Sequence, residues 1–463
     1  MTTHTAVVLA AGSGTRMRSH TPKVLHRLCG LEMVSLVVET ARTAGLGPIV
    51  VVIPPASGLI REALDGDVIF AEQPEPLGSG DALLRARDAV GDADSVTVLY
   101  ADVPALRPDT IQGLVAHHDE TGAAVTLLTA RRDQPDGLGR VVRSPAGRIT
   151  EIVEEPDADD AIRAITECNA GTYCLATSWL WDGLAALGPS RSGEVYLTDL
   201  VAVASRQGLT VESRESKDPE ETLGVNDRIQ LAEADAVLRR RILNDWMLRG
   251  VSVPDPSSVY IDATVRLGQD TVVLPNTHIL GQTRIGLNCE IGPNSVVRDS
   301  VIGDECRVIA SVVEASALRQ GVDVGPFSHI RPGSTLEEGT HIGNFAEVKN
   351  SRLGPGTRSG HFSYIGDADV GANVNIGAGT VTCNFDGERK NKTFIGDDAF
   401  IGSDTMLVAP VTLGSGSSTG AGSVVTRDVP NESLAIGAPA KVVPKKTTKG
   451  GTAKGTRGAR QVR

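Results

Sequence analysis

The 463-residue sequence predicts an α/β domain with a mostly parallel sheet, then one long helix, then a parallel β-helix. Three patterns carry that expectation. Residues 5 to about 226 alternate short aliphatic runs with amphipathic stretches, the rhythm of strands alternating with helices. Leu231, Ala234, Leu238, Ile242 and Trp246 recur in steps of three and four, which lays one apolar stripe along a helix. Ile395, Ile401, Leu407, Leu413, Thr419 and Val425 then fall six apart, with Gly396, Gly402 and Gly414 following three of them. A helix repeats near 3.6 and a strand at 2. A hexad therefore calls for coils of short strands, each aiming one aliphatic residue inward.

The α/β strands are expected at Ala6-Val7-Val8-Leu9, Ile49–Ile53, Val68–Phe70, Ser95–Tyr100 and Ala124–Leu128. Ligands of such sheets gather at the carboxyl ends of strands, where Leu9-Ala10-Ala11-Gly12 and Tyr100-Ala101-Asp102 stand. The helical stripe spans about Asp227–Arg249, and Gly250 offers a left-handed stop. Hexads begin near Val253, are clear by Ile285, Ile291 and Val297, and pass through Ile342, Val348, Val370 and Ile376 to Val425. Asn384-Phe385-Asp386-Gly387-Glu388-Arg389-Lys390 breaks the period, and an insertion that leaves the coil is where a binding site would be built. The expected boundaries are 1–226, 227–250 for the connecting helix, 251–444 for the β-helix, and 445–463 for a basic tail.

Composition excludes some classes. No apolar run approaches the ~20 residues that span a bilayer, and the start has no basic segment followed by a cleavable apolar one. The reading is a cytoplasmic protein with no membrane partner. Six scattered cysteines without a C-x-x-C pair suit reduced, mostly buried thiols. The net charge of −12 hides an asymmetry, because residues 441–463 carry eight Lys or Arg and no acid. With Gly and Thr between the charges and nothing to bury, that tail is expected to be disordered. No nucleic-acid partner is expected.

The turn Leu9-Ala10-Ala11-Gly12-Ser13-Gly14-Thr15-Arg16-Met17 follows a strand, and glycine lets backbone N–H groups approach a polyphosphate. It is neither a Walker motif nor the full G-x-G-x-x-G fingerprint. Arg16 and Thr21-Pro22-Lys23-Val24-Leu25 complete it. With these, the chain resembles the sugar-1-phosphate nucleotidylyltransferases, which open with L-A-A-G-x-G-T-R-M and a P-K-V/A-L element. Together with the hexads, the resemblance narrows to bifunctional bacterial enzymes joining N-acetylglucosamine-1-phosphate uridylyltransferase to glucosamine-1-phosphate acetyltransferase, over about residues 5–436.

The resemblance implies a Rossmann-like nucleotidyltransferase domain followed by a left-handed β-helix of hexapeptide repeats, packed as a homotrimer. It implies UTP, acetyl-coenzyme A and glucosamine 1-phosphate as substrates and Mg²⁺ as cofactor. Leu9, Ala10, Ala11 and Gly12 would meet the nucleotide, with Arg16 and Lys23 on the phosphates. Gln73 and the loop holding Gly78 and Ser79 would read uracil. Tyr100, Ala101 and Asp102 stand where the family has Y-G-D, and Ala101 in place of Gly is a departure. Asp102 and Asn226 would hold the metal, and Gly139, Glu154 and Asn169 the sugar. Asn226 also precedes the connecting helix, where the same side chain would serve as an N-cap.

In the β-helix, acyl transfer from a thioester to an amine needs a base, commonly His. His361 matches the family's catalytic histidine, and Glu347 would orient or polarise it. Arg331 and Lys349 would hold the sugar phosphate, and Tyr364 and Asn375 the amino sugar. Ala378, Ser403 and Ala421 match small residues along the coenzyme A channel, with Asn384 a further contact. Phe385 stands where the family usually has Tyr, which removes a hydroxyl. Near the end of the coils close relatives have an arginine for coenzyme A; here either Lys441 or the basic tail takes its place.

Three other readings are weighed. A zinc hydratase would need histidines converging from neighbouring coils, for which His329, His341 and His361 are the candidates, but no H-x₄-H pair occurs. A non-catalytic regulatory subunit has no need of Lys23, Asp102, Asn226 and His361. A nucleotidylyltransferase of other nucleotide or sugar specificity is the nearest rival.

Overall fold

The computed structural model describes residues 2–444 apart from 13, 65, 67, 136, 191 and 192. Ser13 of the glycine-rich turn and the tail 445–463 thus lie outside the described residues. The chain divides into two compact units, 1–241 and 242–463, with the division inside the helix Arg228–Leu248.

The first unit is built on a mixed sheet. Its strands run in the order Val211–Glu215, Val125–Arg131, Glu167–Ala176, Ser95–Tyr100, His4–Leu9, Ile49–Ile53 and Val68–Glu72. All neighbours are parallel except where Glu167–Ala176 runs against both of its partners. The expected strands form; the long antiparallel strand and the hairpin Arg140–Arg143/Ile149–Val153 were not expected, because Glu167, Asn169, Gly171 and Arg140 interrupt any aliphatic run. Both faces of the sheet are covered. Val7, Val50 and Val98 point into one apolar cluster and Ala6, Val8 and Val51 into the other, as the period of two requires.

The helix Arg228–Leu248 begins on a cap. Asp227 Oδ1 accepts the N–H groups of Ile229 and Gln230, each at 2.9 Å, and Gln230 Oε1 reaches back to the Asn226 N–H at 2.8 Å. The reciprocal pair satisfies orphan donors as a capping box does. Asp227, rather than Asn226, is therefore the cap, and Asn226 keeps its side chain for something else. Leu231, Ala234 and Leu238 pack with Leu28, Met33 and Val225. Gly250, at φ +92°, ends the helix as expected.

In the second unit three long sheets run the length of the coils, each coil giving one short strand to each sheet, and all pairs are parallel except the last, Ser433–Ile436 with Lys441–Pro444. Successive strands pair in register 18 residues apart at the start, as in Tyr260↔His278 and Arg266↔Arg284, and 16 or 17 apart where a corner shortens, as in Val301↔Ala317 and Arg284↔Val301. Ile395, Ile401, Leu407, Leu413, Thr419 and Val425 are all buried at 4% exposure or less. Each such aliphatic side chain contributes about 1.5–3 kcal/mol when removed from water, and one continuous core results. The register jumps by 25 at Asn375↔Phe400, because the insertion after Cys383 adds seven residues to one corner without disturbing the ladder on either side.

Candidate functional site

The carboxyl ends of His4–Leu9 and Ser95–Tyr100 are neighbours in the sheet, with Leu9 opposite Tyr100. A cavity of about 400 Å³ opens there. Leu9, Ala10, Ala11 and Gly12 line it, as do Arg16, Lys23, Gln73, Gly78, Ser79, Tyr100 and Asp102, so the residues expected to meet a nucleotide share one wall system. Gly12 faces open space; Gly14 has a different reason to be glycine. At φ +59°, a Cβ on it would stand 2.5 Å from Lys23 Cβ, so Gly14 lets the turn pack against the lysine.

On one wall, Lys23 Nζ lies 2.5 Å from Asp102 Oδ2 and 3.3 Å from Asn226 Oδ1, and Arg16 Nη2 donates to the same Asn226 oxygen at 3.0 Å. Backbone fixes this grouping, since the Val225 N–H donates to the Asp102 carbonyl at 2.8 Å. Ala101 is fully buried and its N–H is bonded to Leu9 O. At the far end Gln73, 6% exposed, donates through Nε2 to Gly78 O at 3.0 Å and Asp81 Oδ2 at 2.9 Å. Both acceptors hold the NH₂ group, which leaves Oε1 as the side chain's atom for a ligand.

Gly139, Glu154 and Asn169 lie outside the lining of that cavity but cluster with one another. The Asn169 N–H donates to Gly139 O, and a Cβ on Gly139 would come within 3.4 Å of both Glu154 carboxylate oxygens. Asn169 stands at a register shift in its strand, which turns it away from the regular ladder. Thr198 Oγ1 donates to Glu154 Oε1 at 3.0 Å, yet burial holds the Glu154 carboxyl above the usual glutamate range. Burial likewise raises the Tyr100 phenol, with Glu154 and Asp102 adding to the effect.

On the β-helix the expected residues fall on two faces. Glu347 and Tyr364 are direct register neighbours on one sheet, and Lys349 and Gly366 are the next such pair but one. Asn375 belongs to a different sheet, between Arg358 and Phe400. His361 is exposed in the turn between strands of those two sheets, and Ala378 and Ser403 stand in the equivalent turns of later coils. The ladder continues there, with Asp404 N donating to Ala378 O and Gly422 N, beside Ala421, to Ser403 O. One chain therefore does not bring Asn375 beside Tyr364.

One expected pairing comes out differently. Glu347 Oε1 is 2.5 Å from Arg331 Nη1, so the carboxylate expected to orient His361 holds the arginine instead. Proximity of Glu347 raises the Arg331 guanidinium further. Lys349 has a neighbour the sequence did not single out: Lys390, from the insertion, stands beside it, and this second cation drives the Lys349 ammonium below its ordinary range. The signal was present in the basic run Arg389-Lys390 of a loop already marked as a site. Asn384 is 6% exposed at the base of that loop, Phe385 is exposed on it, and Lys441 is exposed in the last strand, where it borders a cavity with Arg427.

The histidines of the zinc alternative do not converge. His329 Nε2 meets Glu314 at 3.0 Å on one sheet and His341 Nδ1 meets Asp323 at 2.8 Å on another. Among the described residues no group of three His, Cys, Asp or Glu is arranged to hold a metal. Among the described residues no cysteine is in a disulfide, and four of the six are buried. Among the described residues no helix is long and apolar enough to cross a membrane.

Comparison with known proteins agrees with this division. Residues 6–201 match the MobA-like NTP transferase domain, and residues 264–299 and 392–427 match the bacterial transferase hexapeptide (six repeats). The chain is 47% identical over 436 residues to the "Bifunctional protein GlmU" of Pelobacter propionicus, covering 93% of this chain and 95% of that protein. It is 44% identical to the protein of the same name from Halalkalibacterium halodurans, over 94% and 96% of the two chains, and 46% identical to that of Geotalea uraniireducens, over 93% and 95%. An N-terminal nucleotidyltransferase domain, a C-terminal stack of hexapeptide coils and identity of this extent place the chain in the family of bifunctional GlmU proteins.

Proposed function

We propose that the β-helix acetylates glucosamine 1-phosphate with acetyl-coenzyme A and that the α/β domain then transfers UMP from UTP to N-acetylglucosamine 1-phosphate, giving UDP-N-acetylglucosamine and pyrophosphate. The observation that carries the second reaction is the grouping of Lys23, Asp102 and Arg16, which line the cavity, with Asn226, to which Lys23 and Arg16 donate.

In uridylyl transfer a sugar-phosphate oxygen attacks the α-phosphorus and pyrophosphate leaves, so the protein's work is to position phosphates and neutralise charge. Arg16 and Lys23 supply that charge. Asp102 and Asn226 offer one carboxylate and one amide oxygen, held together by the Val225–Asp102 hydrogen bond. An all-oxygen pair of this kind fits a hard divalent ion such as Mg²⁺, which is commonly held by one or two protein oxygens plus substrate phosphates. When bound, that ion supplies charge neutralisation at the phosphates. Gln73 Oε1 accepts a hydrogen bond, which suits the N3–H of uracil and disfavours cytosine, whose N3 is an acceptor. Gly139, Glu154 and Asn169 would take the sugar.

In acetyl transfer His361 removes the proton from the amine that attacks the thioester carbonyl. Arg331 and the Lys349–Lys390 pair suit the sugar phosphate, because an anion relieves the repulsion between the two ammonium groups. Ala378, Ser403 and Ala421 leave room for coenzyme A along one edge, with Asn384, Phe385 and Lys441 beside it. Tyr364 and Asn375 lie on different faces of one chain, which supports a homotrimer in which one copy's face meets another's. Phe327 and Phe345, stacked at 5.4 Å and each about 60% exposed, offer apolar surface for that contact. Cysteines kept out of disulfides suit the cytoplasm.

The test is to incubate the protein with glucosamine 1-phosphate, acetyl-coenzyme A, UTP and Mg²⁺, omitting one component at a time. Only the complete mixture should form UDP-N-acetylglucosamine. No product would leave a regulatory subunit as the reading, and product from another nucleotide in place of UTP would overturn the role given to Gln73.

A further inference from the structure

Asp367 follows the strand Ser363–Gly366, is 8% exposed, and has a left-handed φ of +50°. Its backbone is tied on both sides, the N–H to Lys349 O at 3.0 Å and the carbonyl to Thr393 N at 3.2 Å. Its carboxylate divides between two amides: Oδ1 accepts from Asn350 Nδ2 at 2.6 Å and Oδ2 from Asn384 Nδ2 at 2.5 Å. A buried carboxylate with no purpose beyond folding would be an expensive choice, and this one stands next to the residues assigned to acetyl transfer.

The chemistry of the carboxylate decides what it does to Asn384. An ionised carboxyl only accepts hydrogen bonds, so the amide beside it must present its NH₂ group and turn its oxygen away. The same Nδ2 lies 3.4 Å from the Tyr364 hydroxyl. Asn384 Oδ1 is then the atom left over, and no donor among the described residues reaches it. The Asn384 carbonyl accepts from the Asn391 N–H at 2.7 Å, so the same residue closes the base of the insertion that brings in Lys390.

We infer that Asp367 is a positioning residue for acetyl transfer, fixing the Asn384 amide so that Oδ1 accepts a hydrogen bond from the attacking amine. This rests on the reading of the second site given above. In the step, the amine nitrogen bonds to the thioester carbonyl carbon, the C–S bond breaks to release the coenzyme A thiolate, and one N–H proton passes to His361. The other N–H, made more acidic as nitrogen becomes cationic, donates to Asn384 Oδ1.

The experiment is a double-mutant cycle on the full chain, measuring acetyl transfer from acetyl-coenzyme A to glucosamine 1-phosphate and uridylyl transfer in parallel. Asp367→Asn lets the Asn384 amide rotate, and its acetyl-transfer kcat should fall on the order of 10- to 100-fold, the effect of misplacing a group by about 1 Å. Uridylyl transfer should be unchanged. Asn384→Ala should lose as much, and the two together no more than Asn384→Ala alone, because coupled residues are not additive. Independent, multiplying losses, or no loss in D367N, would overturn the inference. Because a buried exchange can also loosen the coil, D367N combined with N384D gives a second reading. That pair rebuilds the hydrogen bond with donor and acceptor reversed and keeps an acceptor at position 384. Acetyl transfer should recover about tenfold over D367N; no recovery overturns the inference. Absence of acetyl transfer by the unaltered protein would instead overturn the reading of the whole site, and the inference with it.

Discussion

Gly366 is packed against two residues of the proposed acetyl-transfer site, and Gly366→Ala tests the arrangement with a single methyl group. An added Cβ would stand 2.5 Å from the Tyr364 hydroxyl oxygen, 2.6 Å from Cζ of the same ring and 2.8 Å from Asn384 Nδ2. Ordinary contact begins near 3.4 Å, so the tyrosine would have to retreat by about 0.9 Å and the amide by about 0.6 Å. Neither is free to do so cheaply. Tyr364 lies on a strand bonded to coils on both sides, and Asn384 is held by Asp367. Overpacking of this kind costs about 1–3 kcal/mol, and a displacement near 1 Å at a reacting centre costs about 100-fold in rate. The assay is release of coenzyme A thiol, with pyrophosphate release from UTP as the parallel reaction. Gly360→Ala is the control in the same coil, because a Cβ there meets nothing within 4 Å. Acetyl transfer at the unaltered rate in G366A, or equal losses in G360A and G366A, would refute the argument that Tyr364 and Asn384 act from these positions.

Asp102→Asn should abolish uridylyl transfer and leave acetyl transfer near its normal rate, while His361→Ala should do the reverse; one substitution that disabled both reactions in a folded protein would contradict two separate sites. Chains carrying Asn375→Ala and chains carrying Tyr364→Ala should each lose acetyl transfer, yet co-expressed at equal levels they should regain about a quarter of it, since a cleft made from two copies draws each face at random; no recovery would mean that the two residues serve one chain. Glu154, its carboxyl raised by burial above the ordinary 4.5, takes up a proton in the fold before it does in the unfolded chain, so its contribution to stability falls as pH rises from 4.5 through the raised value and is least favourable above it. Glu154→Gln should flatten that part of the pH–stability curve of the α/β unit, followed by thermal melting, and should raise the KM for the sugar phosphate; an unchanged curve would show that the carboxyl is not held high.

The β-helix was legible because its signal repeats: Ile395 to Val425 report one geometric fact six times, and each residue is buried by its own coil. The common cavity wall of Leu9–Gly12, Arg16 and Lys23 was legible because these residues are close in the chain and present the backbone and charge that a phosphate would meet. What the sequence did not disclose is partnership across long separations. Nothing in the spacing says that Glu347 will hold Arg331, that Asp227 rather than Asn226 will cap the helix, or that Asp367 will reach 17 residues onward to Asn384. The strand Glu167–Ala176 escaped for a related reason: its register shift and its Asn169 belong to the cluster with Gly139 and Glu154, so it lacks the aliphatic run by which buried strands are recognised.

The seven-residue insertion also bears on how such a scaffold acquires chemistry. Nine residues, 384–392, separate two successive strands where two residues, 409–410, suffice one coil later. Loop closure grows only logarithmically with length, so the longer connection costs about 1.3 kcal/mol in chain entropy. The loop recovers part of that internally: Asp386 accepts the N–H groups of Glu388 and Arg389 and the Asn391 amide, and its carboxyl is held down to about 2. A solenoid whose strands keep their register through such a change can take up Lys390 and the Asn384 anchor at a corner for a small fraction of its folding free energy, and lose them as easily. The cationic half of the proposed acetyl-transfer site is thus the part of the molecule in which substrate preference can drift while the fold stands still.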